Sequence, residues 1–339
     1  MISDSQDRLP QPKTVLIIGG GISGLIAATV LQRAGIHVTI LDKGRGIGGR
    51  LATRRIRNPA YGEGIFDYGA QFFTVSDPIF QAWIDEWQQN GVVKEWSRQF
   101  SEGGKPCYRG INSNRSIAQY LGNHLAIHTQ TRAIQMTWNA SHWRVQTENG
   151  ANFPGEALIL TSPIPQSLAL LDDSEILLPS PLRYRLENVI YHPCIAVLAL
   201  LEKPSRIPEP GGLRLKDASL AWVACNQKKG ISQGNAVTLQ ATPEFSHAYW
   251  ETDNAMAAEK LLEIASPWLG SSVMEYQVHR WRYSQPQTFL GEPYLALSEP
   301  GRLVMAGDAF SSPKTEDASL NVERAVLSGW QAAHYLLGG

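Results

Sequence analysis

Three glycines, Gly19, Gly21 and Gly24, stand in the spacing G-x-G-x-x-G inside "VLIIGGGISGLIAATVLQRAG", and Asp42 closes the apolar run that follows. A second stretch, "LDKGRGIGGRLATRR", interleaves glycines with arginines. The chemistry open to these residue types is the binding of a large anion. Gly19 permits a tight turn, Gly21 lets a pyrophosphate approach the backbone, and Gly24 lets helix and strand pack closely. The Asp42 carboxylate can accept hydrogen bonds from ribose hydroxyls and repels a ribose phosphate, which argues against a tightly held NADP. NAD and FAD both fit. Gly48 and Gly49 allow close passage beside the same pyrophosphate, and the planar fork of Arg50 can meet phosphate in bidentate fashion. Taken alone, the second stretch also fits a flexible surface loop with solvated charge.

These groups need elements to hold them. Thr14 to Ile18 is a short β-branched run suited to a strand buried on both faces. Ile22, Leu25, Ile26, Val30 and Leu31 recur at helical spacing until Gly35, a natural C-terminal stop. His37 to Leu41 reads as the second strand. Strand, loop, helix, strand and acid thus occur in the order a dinucleotide site requires, with the helix N-terminus turned to the phosphates. Near the other end, Leu303 to Ala306 reads as a strand running into Gly307-Asp308, then a loop and an amphipathic helix from about Asn321. Between them lie the strand candidates "VLALLE" and "AVTLQAT", the helix "NAMAAEKLLEIASPWL", and a proline- and glycine-bearing loop over Glu202 to Gly212.

The whole composition narrows the class. A chain of 339 residues has room for about two domains and a real core. Hydrophobic residues make up 43% and charged ones 18%, with a net charge of −1, so no global field attracts nucleic acid or an anionic membrane. The three cysteines, Cys107, Cys194 and Cys225, are scattered and read as reduced thiols of a cytoplasmic protein. The eight histidines show no metal-ligand spacing. No apolar run reaches the ~18 residues of a membrane helix, and the polar N-terminus reads as a loose tail without a signal-peptide core.

At this point the chain resembles the amine-oxidase-type flavoproteins. The likeness rests on G-G-R after the dinucleotide turn, on "FDYGAQFFT", on "YRGINSNRSIAQYL" and "LAIHTQTRAIQMTWNASHWRV", on "ALILTSPIPQSLALL", and on "GRLVMAGDAF" with the helix "NVERAVLSGWQAAHYLL". It implies a non-covalently bound FAD in a discontinuous Rossmann-like α/β domain, with a second, mixed-sheet substrate domain. The architecture is that of the amine oxidases, also described as glutathione-reductase-2-like. The implied division is 1–75, 108–165 and 280–339 for the FAD domain, and 76–107 and 166–279 for the substrate domain, with a six- or seven-strand sheet in the latter. Carried over onto this sequence, the cofactor residues are Gly19, Gly21, Ile22, Ser23, Gly24, Asp42, Lys43, Gly49, Arg50, Leu51, Ala70, Ala133, Thr161, Gly307, Asp308, Asn321 and Val322. The backbone at Ala133 would read adenine, Asp308 would bind the ribityl or phosphate region, and the last helix would aim its dipole at flavin N1 and O2.

Within that superfamily, Asp42-Lys43, "DYGAQFFT", "LTSPIPQ" and above all "HRWRYSQP" resemble the renalases. Renalases oxidise misreduced dihydronicotinamide dinucleotides (2- or 6-dihydroNAD(P), reduced at the wrong ring position, and the anomer α-NAD(P)H), return NAD(P)+ and reduce dioxygen to hydrogen peroxide. The resemblance implies Gln71 and Phe72 beside the reactive flavin ring, Trp281 walling the pocket, and Arg282 or Tyr283 on the substrate. Trp281 also fits a core role, and Arg282 a surface ion pair. Three departures stand out. Tyr283 occupies the place of an animal-renalase histidine. "VIYHPCIAVLALL" lacks the lysine that amine oxidases carry behind the flavin, and Asn321 replaces their cage tyrosine. Amine oxidase, desaturase and a flavin-free escort-type binding protein are the rival expectations.

Overall fold

The computed structural model describes residues 10–310 and 321–338. Most of the expected N-terminal tail and the loop expected after Asp308 lie outside the described residues. The first strand, β1 (Thr14–Ile18), the helix α1 (Ile22–Arg33) and β2 (His37–Leu41) fall where the apolar spacing places them. They build a six-stranded sheet in the order Leu295–Leu297, Leu303–Met305, Ala157–Leu160, β1, β2, Ala126–His128. Every pairing in it is parallel except that between its two C-terminal strands. Leu16, Ile17, Leu158, Ile159 and Val304 are all at most 2% exposed, as the continuous apolar runs require.

A hairpin of β3 (Thr53–Asn58) and β4 (Gly62–Asp67) leads from this sheet to a second one. Its order is Gly212–Arg214, Leu220–Cys225, Ala236–Ala241, Tyr191–Leu201, Val273–Pro286, all antiparallel. Among the described residues it holds five strands, against the six or seven expected. The expected boundary between 279 and 280 falls inside the strand Val273–Pro286, which pairs with Tyr191–Leu201 along almost its full length and so stays whole. The helix Asn254–Leu269 covers the far face through Ala257, Ala258, Leu261 and Ala265.

The two ends of the chain meet on α1. The C-terminal helix, Asn321–Leu336, packs along it, and a Cβ at Gly329 would collide with the Ser23 carbonyl and lie 2.8 Å from the carbonyl carbon. Backbone cannot yield as a flexible side chain would. Gly329→Ala is therefore expected to destabilise the protein by about 1–3 kcal/mol through forced separation of the helices, seen as a lower midpoint in thermal denaturation.

Candidate active site

One cavity of about 1430 Å³ runs between the two sheets. Every site residue expected from the sequence borders it except Gly24. Gly24 sits behind the turn, where a Cβ would strike the Gly19 carbonyl and stand 2.9 Å from Thr161 Oγ1. That contact is the close helix–strand packing the spacing requires.

The glycine loops interlock. Gly48 N–H donates to the Gly20 carbonyl at 2.8 Å, and a Cβ on Gly49 would lie 3.3 Å from Gly21 Cα. Both Gly48 and Gly49 have positive φ, which favours glycine there. The Asp42 carboxylate fastens the two turns, accepting from Gly20 N–H and Gly44 N–H at 2.6 Å each. Thr161 Oγ1 donates to the Gly19 carbonyl at 3.0 Å from the neighbouring strand. Lys43 donates to Gln166 Oε1 at 2.9 Å; burial and the Arg132 charge lower its pKa, partly offset by Asp42. Ala133 begins the strand Ala133–Trp138 at the same end.

Arg50 and Asp308, expected separately on the cofactor, are joined to each other. Both terminal nitrogens of Arg50 reach the Asp308 carboxylate, one at 2.7 Å, and Nη1 also donates to the Ser284 carbonyl at 3.1 Å. Burial works against the guanidinium charge, but the Asp308 carboxylate outweighs it and holds the pKa above the ordinary arginine value. Asp308 is 3% exposed. This clamp ties the opening loop to the C-terminal segment. Gly307 N–H accordingly donates to Ser328 Oγ of the last helix at 2.9 Å, while Asn321 at that helix's start accepts from Arg324. Leu51 and Val322 belong to the core beneath.

The other end of the cavity is aromatic. Gln71 is fixed by its amide nitrogen, which donates to the Asp67 carbonyl at 2.8 Å, while its buried Oε1 has no partner among the described residues. Phe72 packs against Phe100 and Trp222, each at 5.5 Å between ring centroids. Trp281 stacks on Tyr68 at 5.2 Å, and its indole N–H donates to the Tyr68 carbonyl at 3.0 Å. Along Val273–Pro286 the odd-numbered side chains His279 and Trp281 meet Tyr68. Even-numbered ones turn the other way, as a strand demands. Arg280 donates to the Thr252 carbonyl at 2.7 Å, and Arg282 lies 5.5 Å over the Trp250 ring. Arg282 thus borders the cavity with its guanidinium over Trp250, and among the described residues it makes none of the ion pairs set against a substrate role. Tyr283 meets Tyr191 edge-on at 5.5 Å.

Sequence reasoning passed over His279, Tyr68, Trp222, Gln240 and Arg54, all on this cavity. The period-two alternation through His279 and Trp281 carried the signal for the first, and Tyr68 and Arg54 lie inside the motifs quoted above; Trp222 and Gln240 are joined to the site only by tertiary pairing.

The cleft fits a flavin dinucleotide. Among the described residues the buried Ser23 Oγ in the first turn of α1 has no partner and the N-terminus at Gly21 no side-chain cap, which leaves donors for a phosphate. The orphaned Gln71 oxygen offers an acceptor at the ring end.

An α/β dinucleotide fold whose cleft is shared by an antiparallel sheet defines a flavin-dependent oxidoreductase. The chain matches the model of the flavin containing amine oxidoreductases over residues 98–337, and a NAD(P)-binding Rossmann-like domain over residues 17–87. It belongs to the flavin-containing amine oxidoreductase family, and FAD is its cofactor. Within the family it is renalase-like: it is 26% identical to renalase of Mus musculus over 320 residues, covering 88% of this chain and 93% of that one. The fold is shared with a putative protoporphyrinogen oxidase from Exiguobacterium sp. 255-15 (TM-score 0.69, 15% identity, 96% of this chain and 99% of that chain). A redesigned putrescine oxidase also shares it (TM-score 0.64, 14% identity, with the same coverage).

Proposed function

We propose that this enzyme oxidises misreduced dihydronicotinamide dinucleotides, the 2- and 6-dihydroNAD(P) isomers reduced at the wrong ring position together with the anomer α-NAD(P)H, and re-forms NAD(P)+. The observation that supports this best is the chemistry of the aromatic end of the cavity. Gln71, Phe72, Trp222 and Trp281 offer an amide and ring faces, and burial together with the Arg54 charge pushes the His279 imidazole down to about 4. Such a wall orients a substrate but is poorly suited to removing a proton near neutral pH. A misreduced dihydronicotinamide requires no such base. It already carries its hydride and regains aromaticity on losing it, so near-attack positioning suffices. FAD, when bound, supplies the hydride acceptor at N5 and passes the electrons to dioxygen, giving hydrogen peroxide.

In this reading Gln71 and Phe72 lie beside the reacting rings, Trp281 and Tyr283 wall them, and Arg282 contributes at the rim. Ser23, Gly21, Ile22 and Gly49 take the pyrophosphate, Asp42 the ribose, and Ala70, Thr161, Gly307 and Val322 line the course of the cofactor. The FAD domain comprises 1–75, 108–165 and 280–339, with the strand to Pro286 shared between the sheets. Two departures support the choice over amines: the strand Tyr191–Leu201 has no lysine, and Asn321 stands where amine oxidases build their cage. All three cysteines are buried free thiols, which supports a cytoplasmic setting, and no helix among the described residues is long and apolar enough to cross a membrane.

The test is anaerobic mixing of the FAD-loaded protein with each dihydronicotinamide isomer. The yellow colour should bleach faster with the misreduced isomers than with ordinary β-NADH or with amines. Faster bleaching by an amine would sink the proposal.

A further inference from the structure

The strand β3 places an arginine where its pattern calls for an apolar residue. Arg54 and Ile56 share one face by the period of two, and Ile56 is 1% exposed in the core beneath the hairpin. Arg55 and Arg57 point outward, and Arg57 pairs with Glu63. Arg54 has no such partner: among the described residues no carboxylate lies within salt-bridge distance of it. Its guanidinium carbon instead sits 5.1 Å over the Tyr68 ring, and Nη2 approaches His279 Nδ1 at 3.2 Å. The imidazole stays neutral, because burial and the adjacent guanidinium push its pKa down to about 4, so Nδ1 can accept from Arg54. That single bond occupies one of the five donors of the fork. Arg54, Tyr68, His279 and Trp281 all border the cavity.

A cation drawn inward without a counterion is costly unless an anion completes it. The cofactor phosphates have their own donors at Ser23 and the start of α1, on the parallel sheet. Arg54 faces the antiparallel sheet, through His279 on Val273–Pro286. We propose that Arg54 is a substrate anchor, whose guanidinium, held over Tyr68 and against His279, binds phosphate oxygens of a dinucleotide substrate. The planar fork suits a bidentate oxyanion. The inference deepens the functional reading above and rests on it for the identity of the substrate, while the oxyanion site itself stands on the residues just named.

The test compares FAD-loaded wild type, Arg54→Gln and Arg54→Lys. Calorimetric titration with inorganic pyrophosphate and with β-NAD+ should show binding to wild type weakened about tenfold or more in Arg54→Gln. Arg54→Lys, which keeps the charge without the fork, should recover part of it. With a misreduced dihydronicotinamide dinucleotide, KM should rise by a similar factor while kcat stays within about twofold, the pattern of lost uniform binding. Flavin content and thermal midpoint should match wild type. Equal pyrophosphate and NAD+ affinities in wild type and Arg54→Gln would overturn the anchor. Loss of FAD from both variants would overturn it too, by assigning the oxyanion to the cofactor. If no dihydronicotinamide bleaches wild type yet pyrophosphate binding still depends on Arg54, the substrate reading fails and the anion site stands.

Discussion

Asp308→Ala is expected to yield a protein that loses most of its flavin on purification and melts well below wild type. Removing the carboxylate strips Arg50 of both terminal hydrogen bonds and leaves only the Ser284 carbonyl. Truncating one partner of a buried ion pair costs about 3–5 kcal/mol, and the lower figure applies here because the Arg50 side chain retains 29% exposure to the cleft. A cation released in that cleft also drifts from the interlocked glycine turns. The double variant Arg50→Met/Asp308→Leu should melt above Asp308→Ala, since no charge is left unpaired, and should still hold FAD poorly. Flavin content read from absorbance, with thermal denaturation of all three variants, checks the claim. Unchanged flavin content in Asp308→Ala would contradict it.

The second large effect falls on Asp67, whose side chain is fully buried against the equally buried Lys229. Lys229 Nζ donates at 2.8 Å, and Thr53 Oγ1 and the Asn114 amide supply further donors at 2.7 and 3.1 Å. Burial lowers the Lys229 pKa, and Asp67 opposes that fall; burial likewise brings Arg109 down to about 10, against the pull of Asp67. Asp67→Ala therefore leaves two enclosed cations with no carboxylate and should cost about 3–5 kcal/mol. A pH signature separates this from simple loss of packing. Without Asp67 the folded Lys229 binds its proton still more weakly, whereas in the unfolded chain it keeps its ordinary value. The unfolded state then holds the extra proton, so stability rises with pH. The deficit against wild type should narrow as pH rises toward the ordinary lysine value, measured by denaturant melts at rising pH. A deficit constant in pH would mean the charge is not its cause.

The contrast between these two sites shows what the sequence could reveal. The turn at Gly19 to Gly24, the strands around it and the last helix were legible because local spacing dictates them. Arg50 and Asp308 were each legible as charged anchors near glycine, yet their union was not, since 258 positions separate them. Asp67 lay inside a legible motif, but Lys229 carried no local signal. Nothing local distinguishes a lysine destined for zero exposure from one bound for solvent. Arg54 was hidden by its neighbours: in a run of arginines, only the register of β3 against β4 decides which one turns inward. The five-strand count differs from the expectation for a related reason, since the number of strands depends on how far partners extend alongside each other.

The seating of Leu303–Met305 beside Ala157–Leu160, and of the final helix along α1, has a bearing on how the protein is made. The glycine turns leave the ribosome well before the strand and helix that complete their cleft. A growing chain has therefore no finished berth for its flavin, and its central strands present an unpaired edge, the kind of surface on which chains aggregate. Loading of the flavin therefore follows synthesis of both segments, and a lesion that removes the later one erases a cleft whose glycine turns are already made.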